Sequence, residues 1–171
     1  MNPFVLANWK MNGSKNDIER YCDELTAYFH RLEPHVTCVV FPPFPYIALV
    51  NQKLQHQFLF SGAQDCAASA KGAFTGDVAA SMIRDCGGKY VIIGHSERRQ
   101  YHHEENAMLA DKLKQAIKAE LTPVFCFGES LEEYNQGQQM QTCAKQLEAV
   151  FNPPHLQDTP LKRVILAYEP V

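Results

Sequence analysis

Short apolar runs alternate with longer amphipathic segments along the whole chain. The apolar runs predict strands over residues 4–10, 37–41, 58–63, 90–95, 123–127 and 164–169. Between them, apolar residues at three- and four-residue spacing predict helices over 16–31, 46–54, 77–86, 105–119 and 131–150. Met108, Leu109, Leu113, Ala116 and Ile117 make one such stripe, the spacing that lines one face of a helix. Strand and helix alternate strictly, so the expected fold class is α/β, a parallel sheet with helices packed outside it.

Three of the predicted strands run into polar residues: Asn8-Trp9-Lys10, Gly94-His95-Ser96-Glu97 and Tyr168-Glu169-Pro170-Val171. The carboxyl ends of parallel strands share one rim, where α/β folds build their sites, so these residues are expected to converge. Residues of equal parity share a strand face, which groups Asn8 with Lys10, then Val91 and Ile93 with His95 and Glu97, then Ile165 and Ala167 with Glu169. A lysine at a strand end is by itself an ordinary surface residue, and structural ion pairs can imitate an acid/base cluster. Taken together, however, the three ends offer a carboxylate beside an apolar wall, an imidazole near a helix start where the dipole disfavours the cation, and an ammonium. Those groups suit proton abstraction next to a carbonyl, with the base, the hydrogen-bond donor and the counter-charge all supplied by side chains and no metal required.

The chain has 171 residues, 46% of them hydrophobic, enough for one domain, residues 1–171, with a substantial core. A net charge of −3 with interspersed signs gives no footprint for nucleic acid or an anionic membrane, so a small-molecule partner is expected. Cysteines at 22, 38, 66, 86, 126 and 143 lack CxxC or zinc spacing and read as reduced thiols. No apolar run approaches the ~20 residues of a membrane span, and no basic-then-apolar leader opens the chain; the expected setting is cytoplasmic. G-x-G-x-x-G and G-x-x-x-x-G-K-[ST] are both missing, which disfavours the common nucleotide enzymes. His102-His103-Glu104 resembles metal-binding material, but adjacent histidines point apart, and a solvated surface is the expectation. The stretches 67–77 and 152–160 lack periodicity and read as long, functional loops.

Ala7-Asn8-Trp9-Lys10-Met11-Asn12, Gly62-Ala63-Gln64-Asp65, Gly76-Asp77, Val91-Ile92-Ile93-Gly94-His95-Ser96-Glu97-Arg98-Arg99, Cys126-Phe127-Gly128-Glu129 and Ala167-Tyr168-Glu169-Pro170-Val171 closely resemble the triosephosphate isomerase family. The resemblance runs along the whole chain. It implies a TIM (β/α)8 barrel that interconverts dihydroxyacetone phosphate and D-glyceraldehyde 3-phosphate through an enediolate, in glycolysis and gluconeogenesis, without a cofactor. By motif position Glu169 would be the base, His95 the group polarising the carbonyl, and Lys10 the stabiliser of substrate and enediolate charge, with Asn8 orienting the substrate. Glu97 would stand behind Lys10, Ser96 would cap the short helix and help form the wall of the site, and Cys126 would lie behind the reacting groups. The family's members are homodimers in which the loop 65–76 enters a pocket beside the other active site. Thr75, followed by Gly76, would form the tip that approaches the partner subunit's Asn8 and Glu97.

Barrels of this kind take ~250 residues, and here about six of the eight β/α units are present. Pro170 and Val171 stand where the family's closing lid begins, and the glycine-rich phosphate loops after strands seven and eight have no counterpart. The chain is therefore expected to be carboxy-terminally incomplete and almost inactive alone. Two alternatives stay open: an inactive fragment acting as a folding or complementation module, and another sugar-phosphate aldose-ketose isomerase.

Overall fold

The computed structural model describes residues 3–32, 35–157 and 159–170. Six strands, β1 (Phe4–Asn8), β2 (Thr37–Phe41), β3 (Leu59–Ala63), β4 (Tyr90–Ile93), β5 (Thr122–Phe127) and β6 (Ile165–Tyr168), are parallel and lie side by side in chain order. They curl into an incomplete barrel. Between them run α1 (Lys15–Leu32), α2 (Ile47–Lys53), α3 (Ala80–Asp85), α4 (Ser96–Tyr101), α5 (Asn106–Lys118), α6 (Leu131–Asn135) and α7 (Gln139–Phe151).

Side chains alternate between two packed layers, as a parallel sheet buried on both faces requires. On the concave side Val39, Phe41, Ile92, Val124 and Cys126 fill the interior with Leu6, Ile165 and Ala167. Outside, Val91, Ile93 and Phe125 pack on Leu109, Leu113 and Ala116 of α5, while Cys38 and Val40 pack on Ile18 and Cys22 of α1. The α5 stripe matches its expectation except at Met108, which is 44% exposed. The sheet ends at β1 and β6, where Val5 (52%), Leu166 (53%) and Tyr168 (55%) stand exposed on the outer face.

Local chemistry explains where predicted boundaries moved. The helix expected over 131–150 is two helices, because Gly137 adopts φ +70° and breaks the run. Ser130 and Glu133 form a reciprocal capping box that starts α6. The helix expected over 77–86 shrinks to α3, since Val78 spends its carbonyl on the Ala67 amide (2.8 Å), closing the neck of a loop. Part of the loop expected over 152–160 is a 3-10 turn, Pro154–Leu156, whose Leu156 is buried. All six cysteines are free. Among the described residues no helix is long and apolar enough to cross a membrane.

Candidate active site

Lys10 lies beyond the end of β1, not within it as expected. Its backbone is left-handed (φ +53°), so the parity that paired it with Asn8 does not extend this far. Hydrogen bonds hold this conformation: the Lys10 amide donates to Asn8 Oδ1 (3.0 Å), and Gln64 Nε2 donates to the carbonyls of Lys10 and Phe41 (2.8 Å each). The side chain then crosses to Glu97, Nζ donating to Oε1 at 2.7 Å. That bond and the charge behind it raise the Lys10 pKa above its usual value, and the same bond lowers that of Glu97. Glu97 thus stands directly beside Lys10.

His95 reaches the rim by a route that parity misses. Val91 and Ile93 belong to the outer layer, whereas Ile165 and Ala167, and by alternation Glu169, face the interior. Extending β4 would have put His95 on the outer side. The strand stops at Ile93 instead, and Gly94 turns the chain with φ +77°. His95 is the N-cap of α4: its Nδ1 accepts the Glu97 amide at 3.2 Å. The cap expected at Ser96 is therefore at His95, and Ser96 is the first helical residue. A nitrogen that accepts an N–H carries no proton, so the proton of the ring sits on Nε2. Glu97 Oε2 approaches Nδ1 at 3.7 Å, but two acceptors facing each other make no bond. Nε2 points at Glu169 Oε1, 3.5 Å away, and the ring is 10% exposed.

Glu169 continues β6 by one residue, its amide donating to the Phe127 carbonyl at 2.8 Å. Its carboxylate is 45% exposed. Beneath it Cys126 is buried, and burial, with the Glu169 charge adding, pushes its thiol up to about 12; it stays a neutral filler. Two clefts open on this rim. One of about 440 Å³ is lined by Gly94, Ser96, Cys126, Gly128 and Glu169, and one of about 260 Å³ by Asn8, Lys10, Gln64, His95 and Glu97. The carboxylate thus borders the first cleft and the imidazole and ammonium the second, and the 3.5 Å approach of His95 to Glu169 joins the two. Val171, expected at the start of a lid, lies outside the described residues.

Below the rim is a group that sequence reasoning missed. Lys112 Nζ reaches Asp65 (2.7 and 2.8 Å) and Glu104 (2.6 Å), while Arg98 reaches Glu104 (2.6 Å) and Asp65 (3.0 Å). Glu104, read as solvated surface with its two histidine neighbours, is only 5% exposed, and Lys112 only 4%. The usable signal was Lys112's place within the Leu109, Leu113 and Ala116 face, which demands a buried counter-charge. Burial raises the Asp65 pKa, and the Lys112 charge opposes that rise. Asp65 opens the loop that carries Phe74, Thr75 and Gly76, all exposed, with Gly76 at φ +94°.

Comparison with known proteins agrees with the family resemblance. The family model described as triosephosphate isomerase matches residues 3–171. A triosephosphate isomerase of Sodalis glossinidius is 40% identical over 172 residues, covering 99% of this chain and 66% of that protein. One of Bordetella pertussis is 44% identical over 167 residues, covering 98% and 65%. One of Blochmanniella floridana is 36% identical over 173 residues, covering 99% and 65%. The chain spans just under two thirds of the length of these relatives, and over that span it belongs to the triosephosphate isomerase family.

Proposed function

We propose that this chain carries the acid/base site of a triose-phosphate isomerase interconverting dihydroxyacetone phosphate and D-glyceraldehyde 3-phosphate. The observation that carries the reading is the 3.5 Å approach of His95 Nε2 to Glu169 Oε1 beside the Lys10–Glu97 pair. In the proposed reaction Glu169 takes a proton from the carbon next to the carbonyl. The C–H electron pair becomes the enediolate double bond, and the carbonyl π pair moves onto oxygen. His95 Nε2–H, with Lys10, stabilises that oxygen, and Asn8 orients the substrate. As Glu169 returns its proton to the adjacent carbon, the hydroxyl on the first carbon gives up its proton and becomes the new carbonyl, and the former carbonyl oxygen takes up a proton by way of His95 Nε2, so atoms and charge balance without a cofactor. Ser96 lines the same cleft, and Cys126 supports it from below. The exposed tip at Thr75 and Gly76 supports assembly as a homodimer through the loop 65–76, and a glycolytic role in the cytoplasm follows from the same reading.

The test is turnover of dihydroxyacetone phosphate by the purified chain and by Glu169→Asp. Withdrawing the carboxylate by one methylene displaces the base by about 1 Å, which lowers kcat on the order of 10²-fold with little change in KM. Equal turnover would remove Glu169 from the role of base. A second reading is favoured by the open outer faces at Val5, Leu166 and Tyr168: this polypeptide folds and works only with another segment against β1 and β6. Turnover that appears only on adding such a segment as a separate chain would select it.

A further inference from the structure

β6 is the last strand of the sheet, so Glu169 has a neighbouring strand on one side only among the described residues. What fixes its backbone must come from β5. The Phe127 carbonyl accepts the Glu169 amide, and the next residue, Gly128, lies directly against the Glu169 carbonyl. A Cβ built on Gly128 would collide with the carbonyl oxygen and carbon of Glu169 and lie 3.0 Å from Pro170 N, all of them backbone atoms that cannot swing away. Gly128 is not in the left-handed region, so close approach, not backbone freedom, is what demands glycine here.

Gly128 is itself held by one side chain. Its amide donates to Gln146 Oε1 at 3.1 Å, and Gln146 Nε2 donates back to its carbonyl at 2.9 Å. A primary amide paired with both polar atoms of one residue fixes the two peptide planes that meet there. Gln146 projects from α7, whose Val150 is fully buried, so the clamp refers the position of Gly128 to a packed helix.

We propose that Gln146 and Gly128 are positioning residues for the base: Gln146 sets the Gly128 peptides, and Gly128 sets where the Glu169 backbone, and with it the carboxylate, stands against His95. The proposal rests on the reading of Glu169 as base. Neither residue touches substrate in this account; both act through the Glu169 main chain.

The test uses the purified chain with Gln146→Leu and Gly128→Ala, reading kcat, KM, Tm and amide hydrogen exchange at Glu169. A displacement of up to 1 Å predicts a kcat loss between about tenfold and 10²-fold, larger for Gly128→Ala, with KM within about twofold. In Gln146→Leu, exchange at the Glu169 amide should accelerate while that of the Ile165–Tyr168 ladder stays as it was. Unchanged kcat and exchange overturn the proposal. So does a joint loss of kcat, affinity and Tm, which would make Gln146 a general anchor of α7. If the unaltered chain turns over no triose phosphate either alone or with the added segment, the isomerase reading is what fails. The exchange at Glu169 then decides the positioning alone, acceleration supporting it and equality overturning it.

Discussion

The centre and the margins of this sheet hold their polar residues in opposite ways. At the centre, below β3 and β4, Lys112, Asp65 and Glu104 are buried and Arg98 is partly so, and each of the four bonds both opposite partners. At the margins, Lys10 beyond β1 and Glu169 beyond β6 keep side chains 53% and 45% exposed, held by backbone hydrogen bonds and one ion pair. His95 stands between them on the well-packed side. The mutually paired foursome anchors Asp65, at the start of the loop after β3, whereas the groups proposed to do chemistry stay open to a substrate and rely on neighbouring backbone for aim. Strength of pairing thus tracks structure, and accessibility tracks chemistry.

The largest effect expected from breaking this contrast is at Lys112. Lys112→Met leaves Asp65 and Glu104 sharing Arg98 alone, and an uncompensated buried charge costs about 3–5 kcal/mol. Urea denaturation should register that loss, whereas Lys10→Met, at a half-exposed pair, should barely move the midpoint. Equal losses would erase the distinction between centre and margin.

Thiol labelling sharpens it further. Cys86 is exposed and should react first with a neutral alkylating agent, Cys143 next. Cys66, 1% exposed and pushed up to about 12 by burial, and Cys126 should react last. Cys22 and Cys38, packed behind the edge strand β1, should fall between, on the expectation that opening begins at this edge and not at β6. Mass after denaturation should show six additions; a native order with Cys126 ahead of Cys38 would place the weak margin at β6 instead.

The smallest effect concerns the rim pair. Folding raises Lys10 above 10.5 and lowers Glu97 below 4.5. The lysine contribution is therefore complete below 10.5 and lost as pH rises through its higher folded value. The carboxylate contribution is present above 4.5 and lost as pH falls through its lower folded value. Glu97→Gln should bring the Lys10 titration back toward 10.5, measured by NMR of the isotopically labelled ammonium. No movement would mean that Glu97 does not hold Lys10 in solution.

What was legible in the sequence follows from the range of the interactions involved. Apolar runs and helical stripes depend on near neighbours, so all six strands and the faces of α1 and α5 could be read directly. Glu169 also obeyed strand alternation, because β6 stays extended through it. The parity argument failed at Lys10 and His95, where a left-handed residue and a glycine turn the chain; a face rule survives only while the backbone stays extended. The capping role of His95 depends on the side-chain rotamer, which no periodicity encodes. Lys112 was legible only through its place on the apolar face of α5, and Glu104 could not be read as buried without Lys112 and Asp65, which only the fold brings together.

The cap at His95 has a consequence for the traffic of protons. With Nδ1 occupied by the Glu97 amide, the ring has a single working end, and no hydrogen can enter from the rear to replace one leaving at Nε2. The imidazole is a cul-de-sac, not a conduit. In the proposed reaction, whatever hydrogen it lends to an oxygen would be returned by the reacting molecule itself, so exchange with bulk water would have to pass through the exposed carboxylate of Glu169. Isotope washed in from solvent should consequently enter at carbon by way of the margin of the sheet and never through its packed interior.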